Sequence, residues 1–83
     1  MKIEVRYFAS VREALGSGEH VEAEESADIA ALRDVLAGRG GRHAEVLGRQ
    51  RVLRSARNRV LCSESTRLQE SDEVGFFPPV TGG

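Results

Sequence analysis

The sequence predicts an α+β chain with a β-grasp layout, a mixed sheet wrapped on one main helix. Three observations predict it. Two stretches near the start alternate apolar and polar residues with period two, the mark of a strand with one buried face. One stretch in the middle carries apolar residues at helical spacing. Two or three further strand-like stretches follow that helix, the last of them just before the chain ends. One helix among several strands buries its apolar stripe most economically under a curved mixed sheet.

Taken in order, Ile3, Val5 and Tyr7 alternate with Lys2, Glu4 and Arg6, which makes a first strand. Ser10-Val11-Arg12-Glu13 reads as a capping box, with Ser10 at the N-cap and Glu13 reaching back to it. Val11, Ala14 and Leu15 then share one helical face, and Gly16 can end that helix with a positive φ. Gly18 to Glu24 alternates around Val21 and Ala23, giving a second strand paired with the first. Asp28 is the expected N-cap of the main helix, whose core face is Ile29, Leu32, Val35 and Leu36 and which ends at Gly38 or Gly40. A short helix around Ala44, Val46 and Leu47 comes next. Residues 51–57 and 59–62 read as two strands around a turn at Asn58-Arg59, with Val52, Ala56, Val60 and Cys62 inward. The last strand runs from Glu73 to Phe77, and Pro78-Pro79, lacking amide donors, stops it.

Eighty-three residues make one domain. The expected division is a folded domain over residues 1–79 and a flexible Gly-Gly tail over 80–83. Net charge is −1, from 12 basic and 13 acidic residues, so no global field points to nucleic acid or membrane. The charge is uneven all the same. Residues 39–59 hold seven arginines against one acid, Glu45, whereas residues 1–38 hold four basic and eight acidic groups. That asymmetry suits an oriented docking face or a solvated one. RNA binding is disfavoured, because no aromatic residue interleaves with those arginines. The lone Cys62 excludes an internal disulfide and fits a small core residue in a cytoplasmic protein. His20 and His43 lack metal-ligand spacing and are read as solvated, so no metal site is expected. No Ser/His/Asp set, carboxylate pair or phosphate-cradling loop stands out, and catalysis by the isolated chain is not expected.

The chemistry concentrates at the end: Asp72-Glu73-Val74-Gly75-Phe76-Phe77-Pro78-Pro79-Val80-Thr81-Gly82-Gly83. Six residues after Phe77 cannot pack as an element of their own. The proline pair stiffens the exit from the sheet, and Gly82-Gly83, without Cβ atoms, lets another protein's backbone close around it. The four residues beyond Pro79 span at most roughly 14 Å, a reach that suits entry into a partner's active site. Alternation also leaves Phe8, Leu61 and Phe77 off the core face, Leu61 beside Arg57 and Arg59, which suggests an apolar partner patch.

Tyr7-Phe8-Ala9 with Val11-Arg12-Glu13, together with Asp72-Glu73-Val74 and the ending Phe76-Phe77-Pro78-Pro79-Val80-Thr81-Gly82-Gly83, resembles the small subunits of molybdopterin synthase, a family of ubiquitin-like sulfur carriers. The resemblance runs the whole length. It implies that an activating enzyme uses ATP to adenylate the Gly83 carboxylate, and that sulfur then replaces the adenylate to leave a thiocarboxylate. That sulfur is delivered to a pyranopterin precursor inside the large subunit, in a heterotetramer of two small and two large subunits, with no cofactor bound permanently by the carrier. Val80, Thr81 and Gly82 would thread into the large subunit, and Phe8, Leu61 and Phe77 would dock against it. Two alternatives share the same terminus: a ubiquitin-like modifier ligated to lysines, and a sulfur carrier for another pathway such as thiamine synthesis.

Overall fold

The computed structural model describes residues 1–79. Eight elements follow one another: β1 (Lys2–Tyr7), α1 (Ala9–Leu15), β2 (Gly18–Glu22), α2 (Ile29–Ala37), α3 (Gly41–Leu47), β3 (Arg54–Arg57), β4 (Val60–Cys62) and β5 (Glu73–Phe77). The five strands form one sheet in the order β2-β1-β5-β3-β4. β1 and β5 are parallel neighbours at its centre, and the other pairings are antiparallel. The α+β, β-grasp expectation is borne out.

The core lies on one side of the sheet. Ile3, Val5 and Tyr7 from β1, Val21 from β2, and Val74 and Phe76 from β5 meet Ile29, Leu32 and Leu36 of α2, Val11 of α1 and Leu47 of α3. Asp28 caps α2 as expected, its Oδ1 accepting from the Ala31 amide at 2.8 Å. Two details of the helices differ from the sequence reading. α1 begins one residue before Ser10, because the Phe8 carbonyl already accepts from the Val11 and Arg12 amides, and no side chain caps it. Val35 is 60% exposed, and the fourth core-side position of α2 belongs to Arg33, which is 3% exposed. The helical face is 29, 32, 33 and 36, and it includes a cation.

Arg33 is buried because every direction it points holds an acceptor. Its Nε donates to the Leu47 carbonyl (2.7 Å), Nη2 to the carbonyls of Gly48 (2.8 Å) and Arg51 (2.6 Å), and Nη1 to Glu64 (2.6 Å). Leu47 is the last residue of α3 and the other two carbonyls follow it, where helical partners have run out. Glu64 also accepts from Arg49, which in turn reaches Asp34 at 2.9 Å and the Ala30 carbonyl at 3.1 Å. One cation therefore ties the main helix to the segment leading into β3.

The β3–β4 hairpin sets a register that the sequence reading misplaced. Its turn is Asn58-Arg59, both at positive φ (50° and 69°), the two-residue geometry whose twist matches paired strands. Arg57 then pairs with Val60, Ala56 with Leu61, and Ser55 with Cys62. Ala56 must share the outer face with Leu61, and it is Ser55, opposite Phe76, that points inward. Arg57, expected outside beside Leu61, alternates to the opposite face, where its Nη1 donates to the Arg67 carbonyl. Val52 and Val60 are 75% and 67% exposed, since Val52 precedes the strand and β4 is the outermost strand of the sheet.

Asn58 locks this hairpin to the centre of the sheet. Its amide donates to the Glu73 carbonyl, its Oδ1 accepts from the Glu73 amide, and its Nδ2 donates to the buried Asp72 carboxylate. Asn58→Ala removes two side-chain bonds and a residue type tolerant of positive φ. The expected result is a loss of about 2 kcal/mol in unfolding free energy, read from denaturant midpoints with the slope unchanged. A midpoint at the wild-type value would show that the turn stands without the lock.

Candidate functional site

The other side of the sheet carries no helix. A row of outward positions crosses it through the registers Arg6 to Gly75, Gly75 to Ala56 and Ala56 to Leu61. Two of these residues are small, so the middle of the face is low, and larger side chains rise around it. The depression has a volume of about 490 Å³ and is lined mainly by apolar groups, among them Phe8, Ala9, Leu61, Phe77 and Pro78. The three residues expected from alternation to lie off the core face are thus brought together. Phe8 and Leu61 are 46% and 62% exposed, and Phe77 is half-buried.

The backbone explains the position of Phe8. Its amide continues the strand by donating to the Phe76 carbonyl at 3.1 Å, and Ala9, at φ 53°, turns the chain off the sheet into α1. The Phe8 ring lies across Gly75, where an added Cβ would stand 3.0 Å from its Cε2. It meets Phe77 edge to face, with centroids 6.3 Å apart and planes at 84°, the arrangement that aromatic quadrupoles favour. The sequence reading passed over Gly75. A glycine in the interior of a central strand often marks such a close approach.

Charge borders the depression on one side. Glu73 receives Arg6 Nε at 3.2 Å and Arg59 Nε at 3.4 Å, one carboxylate between two guanidinium groups. A second polar cluster lies at the start of β2. There Glu19 accepts from Tyr7 Oη (2.8 Å) and Arg39 (2.5 Å), with His43 at 3.4 Å. Partial burial pushes the Glu19 carboxyl up, but the bonds from Arg39, Tyr7 and His43 outweigh it and hold the group below the usual carboxylate range. Burial first, then the bond to Glu19, raises the Tyr7 phenol far above its ordinary value. His43, expected to be solvated, is half-buried in this cluster, whereas His20 is exposed.

The arginine-rich segment is accordingly used within the chain. Arg39, Arg49, Arg51, Arg57 and Arg59 all bond to acidic side chains or carbonyls of the protein itself. Cys62 is partly buried against the core. Among the described residues no group of three or more His, Cys, Asp or Glu side chains could hold a metal ion, and no helix is long and apolar enough to cross a membrane. Val80, Thr81, Gly82 and Gly83, expected to thread into a partner, lie outside the described residues. What is described is their point of departure. β5 is a central strand, and Pro78, which follows it, lines the depression.

Residues 5–83 match the ThiS family. The chain belongs to that family. It is 41% identical over 81 residues to the molybdopterin synthase sulfur carrier subunit of Escherichia coli, covering 98% of this chain and 99% of that protein. It is also 35% identical over 92 residues to small archaeal modifier protein 3 of Haloferax volcanii, covering both chains completely. Among solved structures it resembles a protein–protein complex of subunits 1 and 2 of the molybdopterin-converting factor of Helicobacter pylori. There the TM-score is 0.70 and the identity 31%, with both matched chains fully covered. Membership of the ThiS family bears out the sulfur-carrier resemblance read from the two ends of the sequence. Within that family, the aromatic pair and the low centre of this chain's outer face lie beside the strand that leads into the Gly-Gly ending.

Proposed function

We propose that this ThiS-family chain is the sulfur-carrying small subunit of a cytoplasmic molybdopterin synthase. The observation that carries the proposal is the apolar depression at the exit of β5, which couples a docking surface to the Gly-Gly ending. A carboxylate is a poor electrophile, so an activating enzyme first converts that of Gly83 into a mixed anhydride with AMP, releasing pyrophosphate from ATP. A sulfur donor then displaces AMP and leaves a thiocarboxylate. In the large subunit this terminus acts as the nucleophile toward the pyranopterin precursor, with its position fixed by docking rather than by collision. Phe8, Leu61 and Phe77 bind the large subunit, in an assembly of two small and two large subunits, and Val80, Thr81 and Gly82 thread the terminus inward. The carrier holds no permanent cofactor, and ATP is consumed by its activating enzyme. The likeness to the Escherichia coli sulfur carrier subunit and to the two-subunit Helicobacter pylori complex supports this reading.

Intact mass tests it. Incubation with the activating enzyme, ATP and a sulfur source should replace one terminal carboxylate oxygen by sulfur, and the charged protein should be consumed when the large subunit and precursor are added. A second reading, a protein modifier, is supported by the likeness to the archaeal modifier. Under it, the same incubation with target proteins present would give ATP-dependent adducts on lysine and no thiocarboxylate. The docking surface has its own test. Phe77→Ala should weaken binding to the large subunit by more than about 1 kcal/mol, while unfolding of the free protein moves little. Calorimetric titration showing an unchanged Kd would remove Phe77 from the interface.

A further inference from the structure

The apolar depression accounts for adhesion but not for choice of partner, and its charged border has a form suited to choice. Both arginines approach Glu73 through Nε, Arg6 at 3.2 Å and Arg59 at 3.4 Å. Among the described residues, the Nη atoms of these two guanidinium groups make no hydrogen bond. Their outer edges therefore keep the pair of parallel donors that matches a carboxylate. Glu73 is mostly covered, with a side chain 20% exposed, whereas Arg6 and Arg59 are 46% and 85% exposed. A partner approaching this border meets two cations, with Glu73 beneath them and Glu4, its side chain 42% exposed, 3.8 Å from Arg6 Nε at the edge. All three residues line the same depression as Phe8, Leu61 and Phe77.

We infer that Arg6 and Arg59, held in place by Glu73, recognise a carboxylate side chain that the large subunit carries beside its apolar anchor. This rests on the docking role proposed above and adds to it the chemistry of the surface that fits. A rim charge of this kind acts mainly on the encounter and on rejection of wrong partners, with less effect on the final affinity. Glu73 has a defined part: it positions the two guanidinium groups, and it also offsets part of the positive charge the partner senses. Its neutralisation and the reversal of an arginine must therefore act in opposite directions.

The test is stopped-flow association of the full-length chain with the large subunit at two ionic strengths. At low salt Arg59→Glu should slow association about ten-fold, and Arg6→Glu should do likewise. Glu73→Gln should leave it equal to the wild type or faster. At 1 M salt, where screening shortens to about 3 Å, the variants should converge. Unfolding midpoints close to the wild type would show that the substitutions act on the interface. Slowing by Glu73→Gln comparable to that by Arg59→Glu would overturn the inference, since the carboxylate would then be the recognised group. Equal rates for all variants would overturn it too, as would a charge effect seen only with the activating enzyme. Phe77→Ala in the same series keeps the two ideas apart. If it weakens the complex while the charge variants do not, the docking face stands and the carboxylate is refuted. If it has no effect, the docking face itself is refuted.

Discussion

Deletion of Gly83 is expected to abolish sulfur transfer while thermal unfolding stays at the wild-type temperature. The argument is one of distance. Deletion leaves a terminal carboxylate on Gly82, so the chain still ends in a group that can be adenylated in principle. That carboxylate is, however, about 3.5 Å short of its former position. Misplacement by even 1 Å can cost on the order of a hundred-fold in rate when catalysis depends on a held geometry. The loss should exceed that in both charging and delivery. Extending the chain beyond Gly83 should fail for the converse reason, because the terminal carboxylate then stands beyond the position at which it is held for reaction. Stability should not respond, because the hydrophobic core formed by the described residues runs from Ile3 to Phe76. The paired measurement is product formation with large subunit and precursor beside a calorimetric unfolding scan. A shortened chain that makes product at the wild-type rate would place the reactive group elsewhere.

The parts of this fold that were legible in the sequence are those where one local pattern decides. Alternation in β1 and β5, the Asp28 cap and the helical stripe of α2 each answer to period or capping chemistry alone, and the structure follows them. Alternation also identified Phe8, Leu61 and Phe77 as residues that leave the core, and all three line one depression. The misreadings share a cause, which is that they depend on partners distant in the chain. Ser10 is a good capping residue, but the helix start is set by Phe8 still bonding to Phe76 of β5. Val60 has the right parity for the core and lies on a strand at the sheet edge. Ala56 was placed inward by its apolar character, whereas its pairing with Leu61 puts it outside. Gly75 gave a usable signal, a glycine between Val74 and Phe76 inside a strand, that reads as close approach of another group only once Phe8 is placed. Arg33 gave a comparable one. It sits on the face shared by Leu32 and Leu36, and such a cation is tolerated only if acceptors surround it.

Replacing Arg33 by Met is expected to cost about 3 kcal/mol, toward the lower end of the range for breaking a buried ion pair. Methionine matches the length of the stem and fills most of the space, so the loss is chiefly polar. The carbonyls of Leu47, Gly48 and Arg51 lose their donor, and each acceptor left dry adds its own desolvation penalty. Glu64 limits the damage, because it is 24% exposed at the side chain and keeps Arg49. For a domain of this size the change corresponds to roughly 15 °C in Tm. Arg33→Lys should recover only part of it, since one ammonium group cannot reach four acceptors spread around a planar fork. Acid titration supplies a signature that loss of packing alone would not produce. Burial pushes the Glu64 carboxyl up, but the bonds from Arg49 and Arg33 prevail and hold it below its ordinary value of 4.5. Its native state therefore binds a proton less readily than its unfolded state. The stability this contributes is fully present above pH 4.5 and is lost as pH falls through the lowered native value. In Arg33→Met that difference shrinks, so the variant's unfolding free energy should fall less steeply below pH 4.5 than the wild type's. Parallel acid limbs in the two proteins, together with a small change in Tm, would mean that Arg33 is held by packing and contributes little through its charge.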